Sequence, residues 1–271
     1  MDYKQKVGSY TAKGGFKNEA DICLKFNNYK IDEQAQKWLN IMGYDYKKIK
    51  ILKATQISSR INKKTALDLG VTPDNIEETI VFKKADIQIK LDIVIDEIYY
   101  IENISLKKAN VNAGYNQVDK RPVDKYKLFW DIPLSICETL KYYTGEIKAV
   151  DTKRLKDKRR MFLNEMDKAK VNELINFFKE NKTIIFNDVL RGRGALSADW
   201  FLVTRKDDDR VDWILKDINF VCNFFAKGSV EVTKRGNLKI GKMSMQRKGG
   251  TPDPESLQFK INPLNLFNDS L

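Results

Sequence analysis

Asp86, Ser105 and Lys107 are the residues whose types and spacing could do chemistry together. They sit in a stretch beginning at Lys84, KADIQIKLDIVIDEIYYIENISLKK. Its two apolar-rich runs meet near Asp96 and Glu97, the pattern of a β-hairpin. Along the first run Ile87, Ile89, Leu91 and Ile93 alternate with Gln88, Lys90 and Asp92, which predicts a half-buried strand. Asp86 then stands at the strand edge, away from the apolar side. Ser105 and Lys107 share one face of the second strand and project beside it. A carboxylate with a lysine on the neighbouring strand is the smallest set that can hold a divalent metal beside a water attacking phosphate. Taken alone, the same pair is more often a solvated ion pair on a hairpin face.

The rest of the composition narrows that choice. Histidine is absent from all 271 residues, which excludes Ser-His-Asp and Cys-His catalysis, histidine zinc sites and any imidazole base. Cys23, Cys137 and Cys222 lie far apart without a C-x-x-C pair, so each is expected as a small core residue. Hydrolysis must therefore draw on carboxylates, lysine and metal. With 49 basic against 37 acidic residues the net charge is +12, which points to phosphate polyanions or an anionic membrane surface. No run approaches the roughly 20 apolar residues of a membrane span. The opening MDYKQKVGSYTAKGGFK also lacks the apolar core of a secretion signal, so a soluble, cytoplasmic protein with no membrane partner is expected. A hydrophobic content of 42% suffices for a core in one large domain or two small ones.

The positioning elements read as follows. FKNEADICLKFNNY predicts a first helix that carries Glu19 and places Phe16, Ala20, Cys23, Leu24 and Phe26 on one side. QAQKWLNIMGY predicts a second helix ending near Gly43, with Trp38, Leu39, Ile41 and Met42 for the core. A strand is expected over residues 50–57, then a polar excursion, NKKTALDLGVTPDNIEE, broken by Gly70 and Pro73. After the hairpin a polar loop brings Gly114 before Tyr115, Asn116 and Gln117, a set able to wedge into a base step and bond base edges, although a surface turn is the commoner reading. Asp151 opens a basic cluster, TKRLKDKRRMF, that either bridges phosphates or covers a helix start. DKAKVNELINFFKENK predicts an amphipathic helix with a stripe of Val171, Leu174, Ile175 and Phe178, and TIIFNDVL a strand. The RGRG turn, with Arg191 and Arg193, suits close approach to phosphate or guanine and a plain tight turn equally well. DWILKDINFVCNFFAKG reads as a strand end and helix, and SVEVTKRGNLKIGKMSMQRKGG as a hairpin turning at Arg235, Gly236 and Asn237. Gly236 to Lys242 spells G-x-x-x-x-G-K, but Met243 stands where a magnesium-binding Ser or Thr belongs and the segment alternates like a strand, so it is no phosphate loop. Gln246, Arg247 and Lys248, with Gln258 and Lys260 on the closing strand LQFKI, match base reading, phosphate contact or a solvated edge.

Collinear segments link these pieces: GSYTAKGGFKNEADI, ENISLKKANVNAGYNQVDK, KDKRRMF, LRGRG, QRKGG and LQFKI. Together they resemble Type II restriction endonucleases of the PD-(D/E)XK superfamily, nearest to the HinP-type enzymes that cut GCGC, with residues of the 60s and 70s as an addition. The resemblance implies an α/β PD-(D/E)XK endonuclease fold, a central mixed β-sheet flanked by helices with added C-terminal β-hairpin elements. It implies a catalytic core with its metal site over residues 1–150 and a DNA-recognition part over 151–271 packed on the same fold. Asp86 matches the metal-binding acid, Lys107 the lysine that orients or activates the attacking water, and Leu106 would offer its backbone carbonyl to the metal. Ser105 departs from the usual Asp or Glu, or the Gln of the HinP type. Glu19 matches an acid on the first helix that would supply the missing carboxylate, with Asp92 and Glu102 as spare candidates. Tyr115, Asn116, Gln117, Arg191, Arg193, Gln246, Arg247, Lys248, Gln258 and Lys260 would bind DNA. The expected activity is Mg²⁺-dependent cleavage of both strands of duplex DNA at a short GC-containing site. The partners implied are double-stranded DNA, a protecting DNA methyltransferase and a second copy in a two-fold dimer, unless a monomer nicks each strand in turn. A structure-selective repair or junction nuclease, and a DNA-binding protein that has lost cleavage, are the rival readings.

Overall fold

Residues Ile87–Ile93 (β2) and Tyr99–Asn110 (β3) pair antiparallel, as the alternating pattern predicts. The computed structural model describes residues 17–58, 60–93, 99–110, 114–207, 210–248 and 255–269. Phe16, the Asp92 side chain and the turn at Asp96 and Glu97 lie outside the described residues. The chain divides into two compact units, Met1–Gly114 with Leu190–Val221 and Pro263–Leu271, and Tyr115–Val189 with Cys222–Asn262. The units interleave along the sequence instead of meeting once near residue 150.

In the first unit the hairpin lies at the centre of a mixed five-stranded sheet. Its order is β1 (Ile49–Gln56), β2, β3, β5 (Trp200–Asp207) and β6 (Arg210–Asp217). Only β3 and β5 run parallel, with Ser105 opposite Phe201 and Lys107 opposite Val203. Helices α1 (residues 17–27) and α2 (Glu33–Ile41) bring Ile22, Cys23, Phe26, Trp38 and Leu39 into one core with Ile87, Ile89, Ile104, Leu106 and Leu202. Each such aliphatic side chain stabilises by about 1.5–3 kcal/mol when fully buried. Leu24 and Ile41, expected in the core, are exposed because the helical stripe turns past them. On the polar face of β2 Gln88 is buried and donates to Asn103 Oδ1 at 3.4 Å. Asn103 Nδ2 in turn donates to the Ala195 carbonyl at 3.0 Å, so polar side chains on this covered face find partners.

The excursion after β1 is no polar loop. Helices α3 (Lys63–Asp68) and α4 (Ile76–Phe82) gather Ile61, Ala66, Leu69, Val71 and Ile76 around Leu196 in a second core. The RGRG turn packs on α4. Gly192 has φ +79°, and a Cβ there would fall 2.2 Å from the Phe82 carbonyl oxygen. Close backbone approach therefore explains this glycine.

The second unit carries an antiparallel sheet in the order β4 (Asn116–Pro122), β10 (Ser256–Ile261), β9 (Met243–Arg247), β8 (Leu238–Ile240) and β7 (Val230–Val232). Helices α5 (Val123–Trp130), α6 (Leu134–Thr144) and α7 (Lys168–Glu180) belong to this unit, with Tyr126, Trp130, Phe178 and Phe259 forming one aromatic cluster. Phe177 joins the α7 stripe, and Ile175 is only partly buried. The strand expected at TIIFNDVL is instead helix α8 (Lys182–Phe186) running into a π turn at Asn187–Arg191. Asp188 in that turn accepts from Arg121 Nη2 at 2.6 Å and Trp130 Nε1 at 2.9 Å. Arg121 Nε also donates to Asp119, which accepts the Tyr126 hydroxyl. This buried network ties β4 to the helices. Helix α9 (Ile218–Ala226) follows β6 as expected, and the three cysteines are buried. The Gly236-to-Lys242 segment turns into β8, as its alternation predicts.

Candidate functional site

Asp86 stands directly before β2, where its backbone N–H bonds the Ile104 carbonyl at 2.8 Å and its carbonyl accepts from Ile57 N at 2.9 Å. Three strands thus meet at one residue. Asp86 Oδ2 accepts from Leu106 N at 2.6 Å, Ser105 Oγ at 3.4 Å and Lys107 Nζ at 3.4 Å. Lys107 Nζ also reaches Ser105 Oγ at 3.2 Å and the Leu106 carbonyl at 3.0 Å, and it lies 5.9 Å from the Phe201 ring centre. The spacing of two along β3 therefore brings the expected trio together.

Glu19 on α1 accepts from Gln56 Nε2, at the end of β1, at 2.8 Å. Burial pushes the Glu19 carboxyl above its ordinary range; the Gln56 bond opposes this, and the negative charge of Asp86 adds to it. Lys107 and Lys83 pull it back. Burial lowers the Lys83 ammonium, against the attraction of Asp86 and Glu19. Gln56 and Lys83 escaped the sequence reading: they come from the end of β1 and the C-cap of α4, and only tertiary folding makes them neighbours. Glu102 occupies the opposite face of β3, where the Tyr44 hydroxyl and Trp200 Nε1 donate to it, so it is no substitute for the acid missing at Ser105.

Among the described residues no three His, Cys, Asp or Glu converge as a metal cage. Glu19 feels the charge of Asp86, and the Leu106 carbonyl shares the Lys107 ammonium with Asp86. Oxygen donors of this kind fit Mg²⁺, which is ordinarily held by one or two carboxylates and keeps several waters. The negative charge of Asp86 opposes ionisation of Glu19, and a cation would relieve that cost.

The second unit presents a polar sheet face. Gln258 lies opposite both Gln246 and Lys120, and Lys260 opposite both Ser244 and Gln117. Gln258 Nε2 donates to Gln117 Oε1, and Gln246 Nε2 to Ser244 Oγ at 3.1 Å. Lys120 was not anticipated. Burial lowers its ammonium, and the positive charge of Lys248 lowers it further, so two cations crowd one edge of this face. Arg247 is turned away: strand alternation puts it with Met243 and Met245 on the buried side, paired with Asp157 at 3.5 Å. Asn116 and Gln117 begin β4 instead of lying in a loop, and Tyr115 before them is exposed. Arg193 lies 5.7 Å from the Phe82 ring centre and the Asp199 carboxyl feels the charge of Arg191, so the turn's arginines have partners within the first unit.

Comparison with known proteins places these sites in context. A family model described as R.HinP1I restriction endonuclease matches residues 75–267, a span that holds Asp86, Ser105, Lys107 and the polar sheet face but not Glu19. A solved structure of the restriction endonuclease MspI in complex with its cognate DNA is similar in fold, with a TM-score of 0.62 at 14% identity, covering 96% of this chain and 93% of that one. No curated protein matches. No helix among the described residues is long and apolar enough to cross a membrane.

Proposed function

Because the chain belongs to the R.HinP1I restriction endonuclease family, we propose that it hydrolyses both strands of duplex DNA at a short GC-containing site, using Asp86, Lys107 and Glu19 with Mg²⁺. The observation that carries this reading is the convergence of Asp86, Ser105, the Leu106 backbone and Lys107 within 3.4 Å. Asp86, Glu19 and the Leu106 carbonyl would hold the metal. When bound, Mg²⁺ supplies Lewis-acid polarisation of the scissile phosphate and lowers the pKa of a bound water.

The protein's own groups supply the rest. Leu106 N fixes the Asp86 carboxylate, so its orientation is set before substrate arrives. Lys107 keeps a positive charge beside the position of the phosphate and orients the attacking water. Ser105 holds the lysine ammonium where the superfamily usually has an acid. Gln56 fixes Glu19. In the second unit Gln117, Gln246 and Gln258 offer paired donors and acceptors to base edges. Lys120, Lys248 and Lys260 suit the O6 and N7 acceptors of guanine. GCGC, or a related GC core, is the first sequence to test. Tyr115 and Asn116 would approach the DNA beside Gln117. An active enzyme of this kind requires a methyltransferase to protect its host's DNA, and a symmetric site is met most simply by a two-fold dimer.

The test is a digest of unmethylated phage DNA with Mg²⁺ and with chelator, followed by sequencing of fragment ends. Discrete metal-dependent fragments sharing one terminal sequence are expected. A smear, or preference for branched DNA, would transfer the protein to the structure-selective nucleases. Intact DNA would leave binding without cleavage.

A further inference from the structure

The basic segment at residues 151–160 plays no part in either site above. It holds six lysines and arginines against two aspartates, DTKRLKDKRR, a large share of the chain's positive excess in ten residues. Its arginines crowd one carboxylate. Asp157 Oδ1 accepts from Arg159 Nε at 2.9 Å, and Oδ2 from Arg159 Nη2 at 3.1 Å and Arg247 Nη1 at 3.5 Å. Arg160 Nε lies 3.7 Å from the same oxygen, too far for a hydrogen bond. Its Nε and Nη1 are buried without a hydrogen-bond partner. Arg160 itself is fixed, its guanidinium 4.1 Å from the Phe162 ring centre and 5.3 Å from that of Tyr143. Three guanidiniums on one carboxylate leave a local excess of two positive charges.

The three are not equally exposed. The Arg159 side chain is 57% accessible, whereas those of Arg160 and Arg247 are 12% and 5% accessible. Arg159 is therefore the exposed member of the set. If its fork turned outward, Asp157 would keep Arg247 and could satisfy the orphaned Arg160 Nε. The released fork matches the paired oxygens of a phosphate.

We propose that this arginine cluster is a clamp for a backbone phosphate of duplex DNA, with Arg159 as the exposed ligand and Asp157 as its resting partner. The clamp rests on the DNA-cutting reading above but takes no part in cleavage or base reading. It adds affinity independent of sequence and sensitive to salt.

The test measures binding of the full chain to a short labelled duplex of arbitrary sequence, in chelator, by fluorescence anisotropy across about 50–200 mM salt. Arg159→Gln is expected to flatten the slope of log K against log salt by about 0.9, the loss of one phosphate contact. Over that range wild type then weakens about threefold more than the variant. Arg159→Lys should retain the slope, since it retains the charge. Asp157→Asn, checked for folding by circular dichroism, should bind more tightly and with a steeper slope. A slope unchanged in Arg159→Gln overturns the proposal, as does weaker binding by folded Asp157→Asn. Inorganic phosphate, titrated alone in a thermal-shift assay, should give no shift that Arg159→Gln removes; such a shift would assign the cluster to free phosphate and overturn the DNA clamp. Because the DNA stays uncut throughout, failure here leaves the endonuclease reading intact, and a digest without discrete fragments leaves the salt slopes standing.

Discussion

Replacing Lys107 with methionine separates chemistry from stability. The ammonium has three polar neighbours between 3.0 and 3.4 Å, and the lysine side chain is only 18% accessible. Asp86 keeps its 2.6 Å bond from Leu106 N and its contact with Ser105, so no buried carboxylate is orphaned by the change. Methionine also retains the packing of the lysine stem. The lost ion pair and ring contact are worth about 1 kcal/mol together. Against the roughly 5–15 kcal/mol that holds a folded domain, that leaves the native population essentially complete. Loss of a positioned proton-transfer group or charged donor, by contrast, slows the chemical step by about 10²–10⁴, or roughly 3–5 kcal/mol of barrier. Single-turnover cleavage of supercoiled plasmid and a thermal melt on the same preparation measure both. Cleavage within about threefold of wild type would remove Lys107 from the chemistry, given the size of such contributions. A melting temperature falling in step with activity would make the trio a structural ion pair.

Three further outcomes follow from the same geometry. Gln258→Leu removes the amide that bonds Gln117 at the centre of the polar sheet face, and should relax discrimination at one base pair by about 1–3 kcal/mol, read by competition between substrates differing at that position. Glu102, pushed above the ordinary glutamate range by burial, makes folding less favourable as pH rises from that ordinary value through the raised one, because the native state then holds the extra proton. Glu102→Gln, which can still meet Tyr44 and Trp200, should therefore gain stability relative to wild type at pH 8 and lose that advantage near pH 4, as thermal melts at the two pH values would establish. Gly192→Ala should cost more unfolding free energy, read by urea titration, than the roughly 1–2 kcal/mol of a left-handed residue, because its Cβ meets the Phe82 carbonyl. Gly43→Ala, at φ +90° in open space, should cost only the conformational part.

Local pattern carried much of the fold. The β2–β3 hairpin and α2 follow from periods of two and 3.6 and from a glycine at the helix end. TIIFNDVL misled because a short apolar run has no period long enough to separate strand from buried helix. Its residues Ile185, Phe186, Val189 and Leu190 are all buried. The segment after β1 looked polar for a different reason. Its apolar residues are spread between turns at Gly70 and Pro73, and the partner that gathers them, Leu196, comes from far later in the chain. The trio of Asp86, Ser105 and Lys107 was legible because hairpin register is local. Gln56 and Lys83 were not, because helix ends and strand ends from separate segments meet there only in the folded chain.

The polar sheet face makes the same point at single-residue scale. Strict alternation along β4 would put Gln117 and Lys120, three residues apart, on opposite sides of the sheet. The register instead steps from Asp119 opposite Phe259 to Gln117 opposite Lys260, leaving Val118 as the extra residue of a β-bulge. That one insertion turns Gln117 to the side of Lys120 while Asp119 and Arg121 stay in the buried network with Asp188. β9 pairs with β10 without such a step, so Gln246 faces outward and its neighbour Arg247 inward. Two adjacent base-reading candidates are thus divided by ordinary alternation, and two residues that alternation would divide are united by a bulge. Residue chemistry selects what can read a base edge, and strand register decides which of those residues face the same way.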